Sequence, residues 1–376
     1  MEDLLQLREQ IDKIDNQLVN LYEERMKIAE GVARYKIATG KKVLDREREL
    51  SKLSSLSEKA TTEFTRVGIV ELFEHIMAVS RKRQYQLLNE NGVVDKPDFE
   101  LLDNLTAPGV RVVFQGVEGA YSQQAMMKYF GEQCESFHVE TWKDAMEAIK
   151  KNEADFAVLP IENSSAGIVS ENYDLLVEYD NYIVGEQILQ IQHALIGLPD
   201  AQIADIKDVF SHPQALMQCG EYLYAHSEWD KISMKNTAMA AKKIKEDKNI
   251  SQAAIASTLT AELYGLKILD ANVSNSENNA TRFIIVSNKK ICSPGANRIS
   301  LCFETTHQSG SLYHMLSHFI YNNINMTNIQ SRPIKDKPWE YRFFVDIEGT
   351  LQDTSVVNAL SGIEAEAVSM KILGTY

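Results

Sequence analysis

The feature that most constrains this chain of 376 residues is an apolar repeat near its N-terminus. Between Leu4 and Tyr35, apolar side chains recur at alternating steps of three and four, at positions 4, 7, 11, 14, 18, 21, 28, 32 and 35. This spacing places them along one side of a long helix that packs against other helices. Similar patterns predict two further helices over Arg46–Lys59 and Thr62–Leu88. The N-terminal segment is therefore expected to be an all-helical module.

Polar and charged side chains interrupt these apolar surfaces at related positions. Arg25 takes a place in the repeat, and Lys36, 11 residues later, projects about 20° away from it around the helix. Ser80 and Gln84 interrupt the stripe of the third predicted helix, one turn apart. Because a buried cation is costly without an anion, Arg25 serves either a structural salt bridge or a small anionic ligand. The clustering of two cations with two neutral hydrogen-bonding groups favours the ligand.

Arg8 adds a requirement for a second chain. It lies on the same predicted helix as Arg25, roughly 25 Å away along the helix axis. It can therefore reach a site at Arg25 only if an antiparallel helix of another protomer carries a second copy across. The sequence thus predicts a homodimer or a higher homo-oligomer.

Composition and charge exclude several classes of protein. The four cysteines show no CxxC pair and no histidine at ligand spacing, so neither a disulfide framework nor a metal site is expected. The net charge of −14 argues against nucleic acid, and no apolar run approaches the roughly 18 residues of a membrane span. The first residues lack a basic leader and an apolar signal core. A cytoplasmic protein without a nucleic-acid or membrane partner is expected.

Charge and periodicity both change after the helical segment. Residues 1–92 contain 16 basic and 16 acidic side chains, so the rest of the chain carries the whole net charge. The sequence predicts an organisation in four segments: a helical domain at 1–90, a linker at 91–108 that contains Gly92, Pro97, Asp98 and Pro108, an α/β domain at 109–290 and a small α+β domain at 297–376.

The two later domains are predicted from alternating apolar runs and helical patterns. In the α/β domain, which is expected to have a largely parallel sheet, helices begin at Tyr121, follow Gly167 and span Ala238–Lys245. Its predicted strands are Arg111–Gln115, Asp155–Leu159, Ile183–Ile191, Val209–Phe210, Ala253–Ala256 and Phe283–Ser287. Residues 297–376 show the order β–α–β–β–α–β, which is typical of a ferredoxin-like domain.

Four polar loops of the α/β domain adjoin predicted strands: Gly116–Ser122, Pro160–Gly167, Ser211–Ala215 and Asn278–Phe283. They contain neither GxGxxG nor GxxxxGK[ST], so a nucleotide cofactor is not expected. No G-x-S-x-G elbow supports a serine hydrolase, whereas backbone N–H groups of the second loop suit a substrate carboxylate. A tight turn for the first loop and a helix cap at His212 are the ordinary alternatives.

The N-terminal residues resemble the all-helical chorismate mutases over roughly residues 4–88. The resemblance rests on Leu7-Arg8-Glu9, Glu24-Arg25, Lys36, Asp45-x-x-Arg48-Glu49, Ser80 and Gln84. It implies that the two carboxylates of chorismate are held by Arg8 of a second protomer, Arg25 and Arg48, with help from Lys36. It also implies that Lys36 and Gln84 flank the ether oxygen as catalytic groups, while the ring hydroxyl and its surroundings are positioned by Asp45, Glu49 and Ser80.

The four polar loops together resemble prephenate dehydratase over roughly residues 109–288. The resemblance implies two α/β lobes with the site in the cleft between them, where Thr281 donates to the departing ring hydroxyl. It implies that prephenate is bound by residues of these loops and their surroundings: Glu162, Asn163, Ser164, Ser165, His212, Gln214, Gln218, Thr237, Thr281, Arg282 and Phe283.

In the last domain, Thr306–Leu312 joins a predicted strand to a helix N-terminus, which can hold a carboxylate but is more often a plain turn. Together with Ile329–Pro333 it resembles the ACT regulatory domain of prephenate dehydratases. The resemblance implies feedback inhibition by phenylalanine bound between two such domains, at Gly310, Ser311, Leu312, Asn325, Met326, Gln330 and Ser331. Where that family usually has glutamate, this chain has Gln330.

These resemblances imply a bifunctional, cofactor-free enzyme of phenylalanine biosynthesis. It would be an isomerase that rearranges chorismate to prephenate and a lyase that converts prephenate to phenylpyruvate. One alternative joins the mutase to a prephenate dehydrogenase, although no dinucleotide-binding GxGxxG is present. Another alternative joins the mutase to a non-catalytic small-molecule binder with a sensor domain.

Overall fold

The computed structural model describes residues 3–93, 98–271 and 273–376. Pro97 of the predicted linker lies outside the described residues. The chain forms two compact units. One contains the N-terminal helices together with Leu301–Lys371, and the other contains Asp98–Ser300 together with Ile372–Tyr376.

The N-terminal segment consists of the three predicted helices. They are α1 (Leu4–Thr39), α2 (Arg46–Ser57) and α3 (Glu63–Glu90). The Asp3 carboxylate caps the first turn of α1, and Gly40 ends α1 at a φ of 67°, a left-handed conformation that glycine adopts without strain. Asp45 caps α2 in the same way as Asp3 caps α1. The all-helical prediction for this segment is confirmed.

Helix α1 has buried residues only in its C-terminal half, and the apolar repeat stays exposed there too, at Ile28, Val32 and Tyr35. Ala29 and Ala33, in its C-terminal half, are buried, and this helix packs against α3. In the N-terminal half the apolar side chains of the repeat are between 39% and 62% exposed in the single chain, at Leu4, Leu7, Ile11, Ile14, Leu18 and Leu21. One face of the 36-residue helix is therefore apolar and uncovered in one protomer.

The α/β unit has, in chain order, many short elements. They are β1 (Glu100–Leu101), β2 (Arg111–Gln115), α4 (Tyr121–Phe130), β3 (Glu135–Val139), α5 (Trp142–Lys150), β4 (Phe156–Asn163), β5 (Gly167–Ile168), α6 (Ser170–Glu178), β6 (Tyr182–Gln190), β7 (Ala194–Gly197), β8 (Asp208–Ser211), α7 (Pro213–Gln218), α8 (Gly220–Ala225), β9 (Asp230–Ser233), α9 (Thr237–Asp247), β10 (Gln252–Ala256), α10 (Thr258–Tyr264), β11 (Lys267–Asp270), β12 (Ala280–Ser287) and β13 (Ile291–Cys292).

These strands form two main sheets, each the centre of one lobe. The first has the order β6-β12-β4-β2-β3, and the second has the order β11-β7-β10-β8-β9. Among the described strands, two pairings of each sheet order are parallel and two are antiparallel. The expectation of a largely parallel sheet is therefore wrong. Within these two orders, the strands that carry the chain between the lobes, β6, β7, β11 and β12, pair in antiparallel fashion, whereas strands joined by helices within a lobe are parallel.

Part of the predicted linker belongs to the α/β unit. Glu100–Leu101 pairs in parallel with Ile291–Cys292, and Leu105 is buried in the core of the first lobe. A strand of two residues has no periodicity that a sequence pattern can reveal, which is why this segment resembled a linker.

The C-terminal segment continues with β14 (Arg298–Glu304), α11 (Ser311–Tyr321), β15 (Met326–Pro333), β16 (Tyr341–Glu348), α12 (Thr354–Glu366) and β17 (Ser369–Thr375). Its strands are ordered β15-β16-β14-β17. Each helix and strand expected between residues 297 and 376 is present. Among the described residues, no helix is both long enough and apolar enough to cross a membrane.

Candidate active sites

The first candidate site lies between α1 and α3. Arg25 Nη1 donates to Ser80 Oγ at 2.7 Å, and Lys36 Nζ donates to Gln84 Oε1 at 3.0 Å. Lys36 also donates to the main-chain oxygen of Val43. Ser80 and Gln84 are buried, and both cations are half-buried. The structure thus brings together the two cations and the two neutral groups that the sequence singled out.

The charge of this cluster is not neutralised by the protein. Among the ion pairs of the described residues, none joins a carboxylate to Arg25 or Lys36. Burial lowers the pKa of Lys36, and the more distant carboxylates of Glu49 and Asp45 offset this only in part. A small dianion would supply the missing negative charge.

The remaining expected chorismate ligands lie at two places. Asp45 accepts the backbone N–H of Arg48 at 3.1 Å as the cap of α2, and the side chain of Arg48 is exposed. Arg8 is exposed on the N-terminal half of α1. It is 17 residues from Arg25, or about 25 Å along a helix, so one chain does not bring Arg8 to the cluster.

Arg81 is a residue of this region that the sequence analysis missed. It is 8% exposed and binds Glu49 Oε2 through Nη1 at 2.5 Å and Glu366 Oε1 through Nη2 at 2.8 Å. Burial alone would lower the pKa of Arg81, but Glu366 and Glu49 more than offset it and the net shift is upward. Its position next to Ser80, on an inward-facing part of α3, was the signal in the sequence.

A cavity of about 220 Å³ adjoins this ion-pair chain within the same compact unit. Helices α2 and α3 form one side of it, and the segment after β14 with the start of α11 forms the other. Its lining includes Arg46, Glu49, Arg81, Thr306, Ser311 and Glu366. Arg81 and Glu49 therefore adjoin both the cluster of Arg25, Lys36, Ser80 and Gln84 and this cavity.

The second candidate site centres on Asn163, the last residue of β4. Its Oδ1 accepts backbone N–H groups of Ser165 at 3.0 Å and Ala166 at 2.8 Å. Its Nδ2 donates to Thr281 Oγ1 at 2.8 Å and to Asn279 Oδ1 at 2.9 Å. Thr281 is opposite Asn163 in the β4–β12 pairing and is 8% exposed. Because Thr281 Oγ1 accepts from Asn163, its own O–H stays available as a donor.

Loops from both lobes meet around Asn163. Ser164 Oγ donates to the main-chain oxygen of Asn278 at 3.1 Å and accepts the N–H of Ala280 at 2.9 Å. Gln218, at the end of α7 in the second lobe, donates from Nε2 to Ser165 Oγ at 2.7 Å. The structure therefore brings Asn163, Ser164, Ser165, Gln218 and Thr281 together.

Three other expected residues begin or flank helices of the second lobe. His212 Nδ1 accepts the backbone N–H of Gln214 at 3.2 Å, which is the helix-cap role considered from the sequence, and burial lowers the pKa of His212. Thr237 is buried at the start of α9, directly after the cap residue Asn236. Contact of His212, Gln214 and Thr237 with a substrate stays a prediction.

Glu162, Arg282 and Phe283 are not brought to the Asn163 cluster. Arg282 and Glu162 pair opposite each other one residue away from Thr281 and Asn163, so they face the other side of the sheet. Arg282 lies 3.8 Å from Glu186, and Phe283 is buried in the core of the first lobe. Direct binding of a ligand by these three residues stays a prediction.

His193 and Tyr121, which were not among the expected site residues, extend the hydrogen-bond network beyond Gln218. His193, between β6 and β7, contacts Gln218 through Nε2 at 3.0 Å and the hydroxyl of Tyr121 through Nδ1 at 2.9 Å. A single histidine within an apolar run gives no signal of such a role in the sequence. In the described part of the chain, no three His, Cys, Asp or Glu side chains are grouped so as to hold a metal ion.

Comparison with known families agrees with this division into two sites. Residues 7–85 match the family model described as "Chorismate mutase type II", and residues 112–291 match the model described as "Prephenate dehydratase". The chain is 33% identical over 385 residues to the bifunctional chorismate mutase/prephenate dehydratase of Buchnera aphidicola subsp. Acyrthosiphon pisum, covering 99% of this chain and 96% of that protein. The chain belongs to the bifunctional chorismate mutase/prephenate dehydratase family.

Solved structures resemble the dehydratase part of this family member. The prephenate dehydratase of Arthrobacter aurescens in complex with L-Phe is 28% identical, with a TM-score of 0.65, covering 71% of this chain and 89% of that chain. A structure described as "GqqA- a novel type of quorum quenching acylases" is 31% identical, with the same TM-score, covering 71% of this chain and 97% of that chain.

Replacing Arg81 by methionine tests whether it positions Glu49 for the mutase reaction. Methionine keeps much of the side-chain volume but removes both ion pairs, so Glu49 loses its anchor. We expect mutase kcat/KM to fall about tenfold, with turnover of prephenate unchanged. The matched control is Arg83→Met, two residues after Arg81 on α3. This change removes a more exposed ion pair with Glu30. Equal losses in the two variants would contradict the role of Arg81.

Proposed function

We propose that the protein rearranges chorismate to prephenate at the helical site and converts prephenate to phenylpyruvate at the Asn163 cluster. The observation that carries the proposal is the pair of cations, Arg25 and Lys36, which face neutral partners and no carboxylate between α1 and α3. Membership in the bifunctional family supports both activities. The first activity is an isomerase and the second a lyase, and neither needs a cofactor.

The mutase site acts by binding and electrostatics. A Claisen rearrangement transfers no proton, so it requires no acid, base or nucleophile. Arg25 would bind a carboxylate of chorismate and hold the molecule in a compact conformer. Lys36 and Gln84 would donate hydrogen bonds to the ether oxygen, where negative charge grows in the transition state, and such donors contribute about 2–4 kcal/mol each.

The hydrogen bond between Lys36 and Gln84 leaves a donor free. Lys36 donates to Gln84 Oε1, so the amide N–H₂ of Gln84 is directed away from Lys36 and stays available as a donor. Arg48 would add a second cation from α2, and Asp45, Glu49 and Ser80 would position the ring hydroxyl and its surroundings. Ser80 also holds Arg25 in place, since it accepts from Nη1.

The dehydratase site acts by orienting a departing hydroxyl. Loss of carbon dioxide leaves the electron pair that forms the aromatic ring, and the hydroxyl leaves with a proton as water. Thr281 would donate its O–H to that hydroxyl, since its oxygen already accepts from Asn163. A threonine is too weak an acid to supply the proton alone at neutral pH, so it acts as an orienting donor or relay. Ser164, Ser165 and Gln218 would line the pocket, with His212, Gln214 and Thr237 at its edge.

The active enzyme would be a homodimer or a higher homo-oligomer. The uncovered apolar face of α1, from Leu4 to Leu21, supports a second copy of the chain as its cover. An antiparallel partner helix would bury this face and also bring the partner's copy of Arg8 to the Arg25 cluster. A cytoplasmic location remains a prediction from the sequence.

Residues 297–376 would form an ACT regulatory domain that binds phenylalanine and mediates feedback inhibition. Support comes from the β–α–β–β–α–β order, from the strand order β15-β16-β14-β17, and from the L-Phe complex of a related dehydratase. Ser311 lines the cavity beside Arg81, and Gln330 donates from Nε2 to Asn328 Oδ1 at 3.3 Å on β15. Gly310, Leu312, Asn325, Met326 and Ser331 are the other proposed effector residues.

The proposal also includes the domain limits, at 1–90, 109–290 and 297–376.

A coupled assay with two variants tests both activities. Wild-type protein given chorismate without NAD should form phenylpyruvate. Arg25→Ala should abolish the mutase and spare the conversion of prephenate, because it removes a carboxylate ligand far from the Asn163 cluster in sequence. Thr281→Ala should show the reverse pattern.

Each of the other possible results would indicate a different function or a different role for Arg25. Accumulation of prephenate in the wild type would support the mutase joined to a non-catalytic binder. NAD-dependent hydroxyphenylpyruvate would indicate a dehydrogenase. Loss of both activities in Arg25→Ala would show that Arg25 is structural.

Mixing two inactive variants tests the origin of Arg8. If each site uses Arg25 of one protomer and Arg8 of its partner, Arg8→Ala and Arg25→Ala are each inactive alone as mutases. After co-refolding of an equal mixture, half of the protomer pairs are mixed and each has one intact site, so about a quarter of wild-type mutase activity should return. No recovery, with mixed dimers detected by differently tagged chains, would contradict the shared site.

Gln330→Glu tests the effector site. A carboxylate near the ammonium group of bound phenylalanine adds a favourable charge interaction. We expect the phenylalanine dose–response curve of the dehydratase to shift to lower concentration, while activity without phenylalanine stays unchanged. Gln330→Met, which changes the same side chain without adding a charge, tests whether the effect requires charge. An unchanged curve in Gln330→Glu would argue against effector binding at this position.

A further inference from the structure

His193 is buried at the point where the chain passes from the first lobe to the second. It lies between β6 and β7 and is 2% exposed. One side of its ring contacts Tyr121 at the start of α4 in the first lobe, and the other contacts Gln218 at the end of α7 in the second. Its main chain is fixed as well, since its N–H donates to Ser274 Oγ at 3.2 Å. This histidine is therefore a connection between the lobes that touches the Asn163 cluster through Gln218.

The direction of each hydrogen bond in this chain follows from the backbone. Asn163 Oδ1 accepts two backbone N–H groups, so its orientation is fixed and its oxygen is an acceptor towards Gln218. Gln218 therefore directs Nε2 to Ser165 and Asn163, at 2.7 Å and 3.4 Å, and directs Oε1 to His193. A carbonyl oxygen facing the ring requires a proton on Nε2 of His193.

The other ring nitrogen completes the assignment. Burial lowers the pKa of His193, more than its hydrogen bond with Gln218 raises it, so the ring is neutral near pH 7. In the neutral ring with Nε2 protonated, Nδ1 is an acceptor, and the hydroxyl of Tyr121 lies 2.9 Å from both this nitrogen and the main-chain oxygen of Gln192, so the two acceptors share its one proton. The orientation of Gln218 thus requires the tautomer with a proton on Nε2, and the resulting hydrogen bond from Nε2 to Gln218 Oε1 in turn holds the amide in that orientation.

We propose that His193 is a positioning residue of the dehydratase site, which holds the Gln218 amide so that its N–H groups face Ser165 and Asn163. With Gln218 in this orientation, Ser165 Oγ–H points to Asn163 or Asn279, and Asn163 keeps its Nδ2 on Thr281. If Gln218 turned over, its oxygen would compete for the Ser165 hydroxyl and face the oxygen of Asn163. The inference rests on the dehydratase activity proposed above.

The test uses four variants of the full-length enzyme. His193→Leu removes the donor, whereas His193→Gln can place an amide N–H close to the position of Nε2. Gln218→Ala and the double variant His193→Leu/Gln218→Ala show whether His193 acts through Gln218. Steady-state kinetics with prephenate gives kcat and KM, and thermal unfolding followed by near-UV circular dichroism reports whether the dehydratase lobes are folded.

We expect His193→Leu to lower kcat for prephenate about ten- to a hundredfold, with a smaller change in KM and with normal mutase activity. His193→Gln should recover most of the loss. In the Gln218→Ala background, His193→Leu should cause no further loss, because the group it positions is already absent. A merely structural histidine would give independent losses that multiply.

Two results would overturn the proposal. One is a wild-type kcat in His193→Leu, and the other is independent, multiplying losses in the double variant. Failure of the dehydratase proposal itself would look different: the wild type would form no phenylpyruvate, or Thr281→Ala would turn over prephenate normally.

Nitrogen NMR of the histidine rings checks the tautomer without any activity measurement. Protonated Nε2 in the wild type is expected, whereas protonated Nδ1 in the wild type would refute the assignment.

Discussion

The helical part of this protein depends on an unfavourable feature, two cations held partly away from water without a carboxylate beside them. Arg25 and Lys36 bond instead to the neutral oxygens of Ser80 and Gln84. Neutral partners hold the cations in place without cancelling their charge, so the attraction for an anionic substrate is kept. Holding these cations without a carboxylate lowers the stability of the folded protein but favours the binding of an anion, which is typical of functional sites.

The α/β site is organised by orientation of hydrogen bonds instead of by charge. Asn163 has its oxygen fixed by the backbone and therefore presents its N–H₂ group to Thr281 and Asn279. Gln218 and His193 continue this chain of directed hydrogen bonds from one lobe to the other. A site of this kind suits a reaction in which a hydroxyl must be oriented while an aromatic ring forms. The two sites therefore use different physical means within one chain.

Local patterns predicted more of the helices and strands than of the contacts between them. The α1 repeat, the cations within it, and the β–α–β–β–α–β order after residue 297 follow from periodicity alone. The antiparallel direction of β6, β7, β11 and β12 could not be predicted, because it is set by how the chain passes between the lobes. Arg81 and His193 were missed because their partners, Glu366 and Gln218, are far away in sequence. The placement of Arg282 on the face of the sheet opposite to Thr281 came from strand geometry, which a motif of adjacent residues conceals.

The sequence by itself determined the helical module, the presence of cations within its apolar repeat, and the residue types available at each polar loop. These are local properties, since the period of apolar residues and the chemistry of a side chain do not depend on distant parts of the chain. The tertiary structure decided which polar groups meet and in which direction each hydrogen bond runs. That choice depends on the register of β4 with β12 and on the packing of α3 against its neighbours, and both arise from contacts between segments far apart in sequence.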